Sequence, residues 1–438
     1  MNNPHTTKWK EVTLETISTI EMGQSPSSST YNNQGVGLPF FQGKAEFGKV
    51  HPTATKWCSS PNKIANIGDI LLSIRAPVGP INIADQKCAI GRGLAAIQAK
   101  PGIEIGYIAY FLRNSEKILA SMATGSTFPA VTGKVVRDLP ILLPPANEQR
   151  RIADKLDRVL ARVDAANEHL SRVAPLIKRF RQSVLSAATS GRLTSDLYPD
   201  NRNAYERLPL GELASTRLGK MLDKKKNTGA LVKYIRNVNV RWFSLDLSDL
   251  LSIRIEPHEV HSLAIQDGDV LICEGGEPGR CAVWREGPTD LVFQKAIHRA
   301  RVDSKRLLPE WLAFCLKHQS NTGEIEDFFT GTTIKHLTGV SLAKLLIPVP
   351  PMDEQSEIVR RVEKLFAFAD RLEERLSQAQ AAVQKLTPAL LAKAFRGELV
   401  PQDPNDEPAS ELLKRLQESR TDSAKPGRAR EPRTKKSH

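Results

Sequence analysis

One stretch of this chain occurs twice. Residues 350–400 repeat residues 144–194 at a constant offset of 206 and without a gap, and both copies open with Pro-Pro-x-x-Glu-Gln. In each copy apolar residues recur at alternating steps of four and three. The first runs from Ile152, Leu156, Val159 and Val163 to Val184 and Ala187; the second from Ile358, Val362, Leu365 and Ala369 to Leu390, with Lys393 the one polar position. A narrow stripe sustained for about five heptads is the seam of a coiled coil, because only another helix can bury it. Pro144-Pro145 and Pro350-Pro351 bar a helix arriving from the N-terminal side. Asn147 and Asp353 are candidate N-caps, with Glu148 and Glu354 as favourable first-turn acids. Gly191 and Gly397 sit where a left-handed C-cap would end each helix. Pro175 and Pro388 fall inside, off the seam, where a kink is expected.

A helix of about 44 residues spans roughly 65 Å. A compact domain returns its chain near where it entered. The second helix is therefore expected to run back along the first, with residues 1–143 forming one globular domain and 195–349 another at the opposite end. Residues 144–194 and 350–400 are the helices, and 401–438 an amphipathic segment followed by a basic tail with no apolar content to fold with.

The two globular regions repeat each other more loosely. Leu14, Ile17 and Gly23 match Leu210, Leu213 and Gly219; Gly68-Asp69-Ile70-Leu71 matches Gly268-Asp269-Val270-Leu271; Tyr107 matches Trp311; Gly125-Ser126-Thr127 matches Gly331-Thr332-Thr333. The offset rises from 196 to 206, as loops of different length on a shared frame require. Residues 8–22 read as an amphipathic piece, Leu38 to Phe41, Ile64 to Ile67, Ile70 to Ile74 and Leu94 to Ile97 as strands, and Tyr107 to Leu119 as a helix. The expected fold class is α+β: two globular α/β domains separated by an antiparallel two-helix coiled coil, an internal duplication with pseudo-two-fold symmetry.

The helix opening, a Gly-x-Leu exit, two copies about 150 divergent residues apart, and a Gly-Asp-x-Leu turn plus a Gly-Ser-Thr or Gly-Thr-Thr loop before each helix resemble the specificity subunit of a type I restriction-modification system. The resemblance extends to about residue 417 and includes the segment DPNDEPASELLKRL. It implies that each globular region is a target recognition domain for one half of a split, asymmetric double-stranded DNA sequence. It also implies that the helices bind two modification subunits, and that restriction subunits are further partners. S-adenosylmethionine, ATP and magnesium would then belong to those partners, with no cofactor bound here and no catalysis by this chain.

The residues agree with a non-catalytic role. GGEPGR at 275–280 lacks the lysine and hydroxyl of a phosphate loop. His258 and His261 are spaced by three, where zinc-protease histidines need four. Asp200 with Asp223-Lys224-Lys225 imitates a nuclease set, but Asp200 falls in a linker and the lysines read as a basic loop. Neither LPPA nor VPPM supplies the polar residue and ring of an adenine methyltransferase. A self-sufficient nuclease or methyltransferase, or a scaffold binding only proteins, is the alternative. The five cysteines show no Cys-x-x-Cys spacing and read as buried thiols. No apolar run reaches membrane-spanning length and the N-terminus lacks a secretory core, so a soluble cytoplasmic protein without membrane contact is expected.

The net charge of +13, from 62 basic and 49 acidic residues, favours a polyanion. Between Arg217 and Arg241 lie eight basic residues against Asp223 alone, interleaved with Tyr234 and Trp242. Lysines contact backbone phosphates, whereas Arg, Asn and Gln can pair with base edges. The DNA-contact candidates are Gln42, Lys44, Lys63, Arg75, Arg92, Ser126, Thr127 and Lys134 in the first domain. In the second they are Lys224, Lys225, Lys226, Lys233, Arg236, Asn237, Asn239, Arg241, Arg280, Lys295, Thr332, Thr333 and Lys335.

Overall fold

A computed structural model describes residues 8–125, 129–199, 205–221, 223, 228–287 and 289–423. Five helices organise it: α1 (Ile105–Asn114), α2 (Ala146–Thr189), α3 (Pro309–Thr322), α4 (Met352–Phe395) and α5 (Ala409–Ser423). The repeats are α2 and α4, each 44 residues and unbroken through Pro175 and Pro388. Both start one residue before the expected caps, so Asn147 and Asp353 lie within the first turn instead. Gly191 and Gly397 follow at φ 72° and 77°, the left-handed conformation that a C-cap glycine supplies without strain.

The chain divides into two units. Unit 1 comprises Met1–His169 and Gln380–His438, and unit 2 comprises Leu170–Ala379, so each holds part of both long helices. Within unit 2 the helices run antiparallel: Ile177 and Val173 pack with Ala369, Leu372 and Leu376, while Val184 and Ala188 share a core with Ile358 and Val362. In unit 1 Ile152 and Leu156 share a core with Leu391 and Ala394.

Two sheets follow the same plan in both units. In unit 1, β1 (Lys10–Thr13) pairs antiparallel with β6 (Pro140–Leu143), and a four-stranded sheet has the order β2-β5-β3-β4, where β2 is Ser18–Met22, β3 Ile70–Ser73, β4 Ile81–Ile83 and β5 Leu94–Ala99. In unit 2, β7 (Glu206–Pro209) pairs with β12 (Leu346–Val349), and the order is β8-β11-β9-β10, with β8 Ala214–Leu218, β9 Val270–Cys273, β10 Cys281–Val283 and β11 Ile297–Val302. All neighbours in both four-stranded sheets are antiparallel. Of their central strands, β3 and β9 are apolar up to the terminal Ser73 and Cys273 because both faces are covered, whereas β11 carries His298, Arg299 and Arg301. Ile70 and Leu72 face the core under α1 while Leu71 faces a second, smaller core; Val270 and Ile272 alternate with Leu271 in the same way.

Three sequence expectations are corrected. Residues 8–22 form strand, one helical turn (Leu14–Ile17) and strand rather than one amphipathic piece, since apolar spacing over so few residues fits either period. The strand at Ile64 stops at Ala65, and Ile67 is 72% exposed. The helix at Tyr107 breaks at Ser115, where a second one (Glu116–Ser121) begins. The five cysteines are buried and unpaired, and burial pushes the Cys88 thiol up to about 12 and Cys273 to about 11.

Glu148 and Glu354 lie in the first turns as expected, and the repeated Glu-Gln also has a tertiary role. Glu148 and Glu354 are buried, as are Gln149 and Gln355. Gln149 donates to Pro144 O at 2.9 Å and accepts from Glu104 N at 3.0 Å; Gln355 donates to Pro350 O at 2.8 Å and accepts from Leu308 N at 2.9 Å. Each glutamine thereby ties the start of its long helix to the loop before α1 or α3. Glu354 accepts from Thr194 and Tyr205, both at 2.7 Å, and Glu148 from Trp9 Nε1 at 3.1 Å. Burial raises the Glu148 carboxyl above its usual range, and the Trp9 bond partly opposes that.

The segment after Gly397 completes unit 1. Lys8 Nζ donates to the carbonyls of Asp403, Pro404 and Asp406, Arg151 pairs with Asp406 at 2.6 Å, and α5 sends Leu412 and Leu416 into the core. The segment after Gly191 does the same for unit 2, with Arg361 pairing Asp196 at 2.6 Å. The basic residues 424–438 lie outside the described residues.

Candidate nucleic-acid interface

In unit 1 five loops converge at one end of the four-stranded sheet, and their described residues are 23–25, 42–44, 74–79, 91–93, 124–125 and 129–134. Backbone bonds knit them: Gly23 N to Leu94 O at 2.9 Å, Gly91 N to Phe41 O at 2.8 Å, Ile74 N to Gly93 O at 2.9 Å, and Val131 N to Ile74 O at 2.9 Å. A Cβ on Gly93 would lie 2.1 Å from Gln42 O, so glycine permits this approach. The same bonds recur in unit 2: Gly219 N to Ile297 O at 3.0 Å, Gln294 N to Ile235 O at 3.0 Å, Glu274 N to Ala296 O at 2.9 Å, and Leu337 N to Glu274 O at 2.7 Å. One frame thus carries two different sets of side chains.

Of the sixteen sequence candidates among the described residues, nine are gathered on these loops. Gln42, Lys44, Arg75, Arg92 and Lys134 are exposed in unit 1, and the four cations among them have no ion-pair partner among the described residues. Lys63 borders the cluster with its charge taken by Glu21 at 2.5 Å. In unit 2 Lys295, Thr332, Thr333 and Lys335 are exposed on the matching loops. Arg92 and Lys295 occupy equivalent places, each in the turn leading into the long strand of its sheet.

Four unit 2 candidates instead hold the loops together. Asn239 is 2% exposed; its Oδ1 accepts from Arg236 N at 2.9 Å and its Nδ2 donates to Asp246 O at 2.9 Å. Arg236 pairs with Asp249 at 2.6 Å. Asn237 donates to Gly275 O at 2.7 Å, and its own carbonyl accepts from Arg280 at 3.0 Å, while Arg280 also pairs with Glu277 at 3.1 Å. Lys233 and Arg241 are exposed on the strands Ala230–Ile235 and Val240–Arg241. Ser126, Thr127, Lys224, Lys225 and Lys226 lie outside the described residues.

The sequence missed two cluster residues. Ser25 Oγ accepts from Arg92 N at 3.3 Å and shapes that turn. His336 is exposed over Gly275, where a Cβ would come within 3.1 Å of its Nδ1; the Gly275-Gly276 pair was the available signal. Behind the loops, buried His298 bonds Leu337 O through Nε2 at 3.0 Å. Burial lowers its pKa, so the neutral ring donates that bond. Among the described residues no group of three or more His, Cys, Asp or Glu could hold a metal, and no helix is long and apolar enough to cross a membrane.

The sequence pattern of the family described as "Type I restriction modification DNA specificity domain" matches residues 6–173 and again 204–379. The chain is 29% identical over 326 residues to the type I restriction enzyme EcoKI specificity subunit of Escherichia coli K12, covering 72% of this chain and 70% of that one. It is 28% identical over 440 residues to the EcoBI specificity subunit of Escherichia coli, covering 90% and 87%. Its fold is similar to the HsdS subunit of Thermoanaerobacter tengcongensis, with TM-score 0.61 and 20% identity over 91% of this chain and 99% of that one. It is also similar, at TM-score 0.65 and 19% identity, to a chain solved in work on assembly and conformational transition of a type I R-M system, covering 91% and 100%. With both halves of its duplication matched, the chain belongs to the type I restriction-modification DNA specificity family.

Proposed function

We propose that this chain is the non-catalytic reading subunit of a type I restriction-modification complex, working in the cytoplasm. Each loop cluster enters the major groove of one half-site in double-stranded DNA. The antiparallel helices fix the separation and rotation of the two readers, near one helical turn of DNA, about 34 Å. Two modification subunits dock on the helices and restriction subunits join them; S-adenosylmethionine, ATP and magnesium are bound by those partners. The observation that carries the reading is the pair of loop clusters that share one backbone frame and differ in side chains. A reader duplicated in this way recognises two unlike half-sites, hence an asymmetric target.

Mapping methylated adenines by single-molecule sequencing, in cells carrying the chain with its modification subunit, should return two unlike half-sites around an unspecified spacer. Inserting one heptad into both α2 and α4 should shift the spacer length and leave the half-sites unchanged. Altered half-sites with unaltered spacing would sink the ruler.

A further inference from the structure

Unit 2 carries a cleft of about 850 Å³, a size that suits a small organic ligand. Its walls come from α2, α3, α4 and a tight hairpin of the strands Val240–Arg241 and Ser244–Leu245. The hairpin turn, Trp242-Phe243, supplies much of the aromatic lining. The Phe243 ring centre lies 5.5 Å from that of Phe314, 5.7 Å from Phe366 and 6.0 Å from Trp242. Phe243 has φ 65°, and among the described residues no other residue except glycine lies in the left-handed region. Glycine or asparagine would take that place with little strain, so the position serves the ring rather than the turn.

The charges that line the cleft are largely satisfied. Arg181 is taken by Asp370 at 2.5 Å and Glu373 at 3.2 Å, and Arg285 by Glu310 at 2.5 Å, while Lys178, Glu286 and Glu363 are exposed. Lys317 differs. It is half-buried, its ammonium sits 4.1 Å from the centre of the Trp242 ring, and no carboxylate among the described residues lies within ion-pair distance. Burial lowers its pKa.

From Trp242 a line of bonds leads to the reading loops. Trp242 Nε1 donates to Glu277 at 2.6 Å, Glu277 pairs with Arg280 at 3.1 Å, Arg280 donates to Asn237 O at 3.0 Å, and Asn237 donates to Gly275 O at 2.7 Å. Unit 1 is built differently at the matching turn, where the Phe47–Pro52 bridge stands for the Val240–Leu245 pair. Lys49 takes the place of Trp242 and pairs at 2.8 Å with Asp164, the repeat counterpart of Asp370, both well exposed. Leu160 stands where unit 2 has Phe366.

We propose that this cleft binds a small planar aromatic acid, with its ring against Phe243, Phe314 and Phe366 and its anionic group on Lys317, and that binding is transmitted to the unit 2 loops through Trp242 and Glu277. The transmission to DNA rests on the function proposed above; the binding site does not. Charge selects the ligand, because an anion offsets the desolvation of Lys317 and a neutral or cationic ligand leaves it uncompensated. An anion that draws the ammonium from the face of Trp242 also shifts the indole that holds Glu277. An aromatic carboxylate and a nucleotide share this chemistry.

The full chain is titrated by calorimetry with 2-naphthoate, its uncharged amide and adenosine 5′-monophosphate. At least one anion should saturate at one per chain, and the amide should bind about tenfold more weakly than the naphthoate. Tighter binding of the naphthoate assigns a carboxylate source and tighter binding of the nucleotide a phosphate one. Lys317→Met should remove the preference for charge, and Ala367→Trp, at an exposed position lining the cleft, should block binding without moving the unfolding midpoint. No saturable binding by either anion, or binding that both variants leave unchanged, would overturn the site. In the complex with the modification subunit, the ligand should change protection of the unit 2 half-site severalfold in a footprint and leave the other half-site alone. Binding without that change would overturn the transmission. A complex that protects no DNA in the absence of ligand would instead sink the DNA-reading function, with the calorimetry still deciding the site.

Discussion

Units 1 and 2 share a frame down to individual backbone bonds, yet they satisfy its buried groups differently. Asp69 and Asp269 both cap the turn before their central strand, accepting from Asn66 N and Gln266 N at 2.7 Å each. Asp269 is also paired with Arg301 at 2.8 Å, whereas burial raises the carboxyl of Asp69 and only the Asn66 bond opposes it. Tyr107 and Trp311, both fully buried, reach across to carbonyls of the two-stranded sheet, Leu142 O at 2.6 Å and Pro348 O at 2.7 Å. His298 of β11 is buried and polar, while Ala95, its counterpart after the matched Leu94 and Ile297, needs no partner. Duplication preserved the bonds that position the loops and left free the side chains that fill space behind them. That is the freedom a reader of two unlike half-sites requires.

The strongest way to break this equivalence is to remove a matched anchor. Trp311→Ala should cost about 3–5 kcal/mol, the usual loss for a buried aromatic, and abolish protection of one half-site in a footprint while the other persists. Tyr107→Ala should do the reverse. Urea denaturation with footprinting checks both, and loss of both half-sites from either variant would show that the units are not independent readers.

Acid should separate the units next. The folded pKa of His298 is depressed, so its neutral form supports unit 2 fully above the unfolded value near 6.5. That support is lost as pH falls from there towards the folded value. The unfolding midpoint of the native chain should therefore drop in this window more than that of His298→Asn, and parallel pH profiles would count against the assignment. The smallest effect tests the interface: Arg92→Ala and Lys295→Ala should each weaken DNA binding severalfold for every sequence and reduce the salt slope by about 1. Equal losses sharpen the correspondence of the two turns, and a change in base preference would make either one a base reader.

The long helices were legible because a seam written over five heptads leaves few folds available, and their bounds fall within a few residues of the repeat. The matched pairs from Leu14 and Leu210 to Gly125 and Gly331 were legible because buried positions and left-handed glycines tolerate little exchange. Side-chain roles were not. Glu148 and Glu354 read as first-turn acids and are so placed, but their burial was not legible because local sequence does not show what packs over a helix start, and their covering residues Trp9, Thr194 and Tyr205 come from up to 160 residues away. Asn239 and Arg280 carry the right groups to read bases, but the loops consume those groups internally, a choice set by neighbours at Asp246 and Glu277 rather than by residue type.

The way unit 1 is closed bears on how the protein is made. Unit 2 is one uninterrupted run of chain and has everything it needs once residue 379 has left the ribosome. Unit 1 precedes it in the chain but lacks Leu412, Leu416 and the carbonyls that hold Lys8 until residues beyond unit 2 have been made. Of the two, the half that starts first is therefore completed second, and a product stopped at residue 379 would carry one completed reader and one left open.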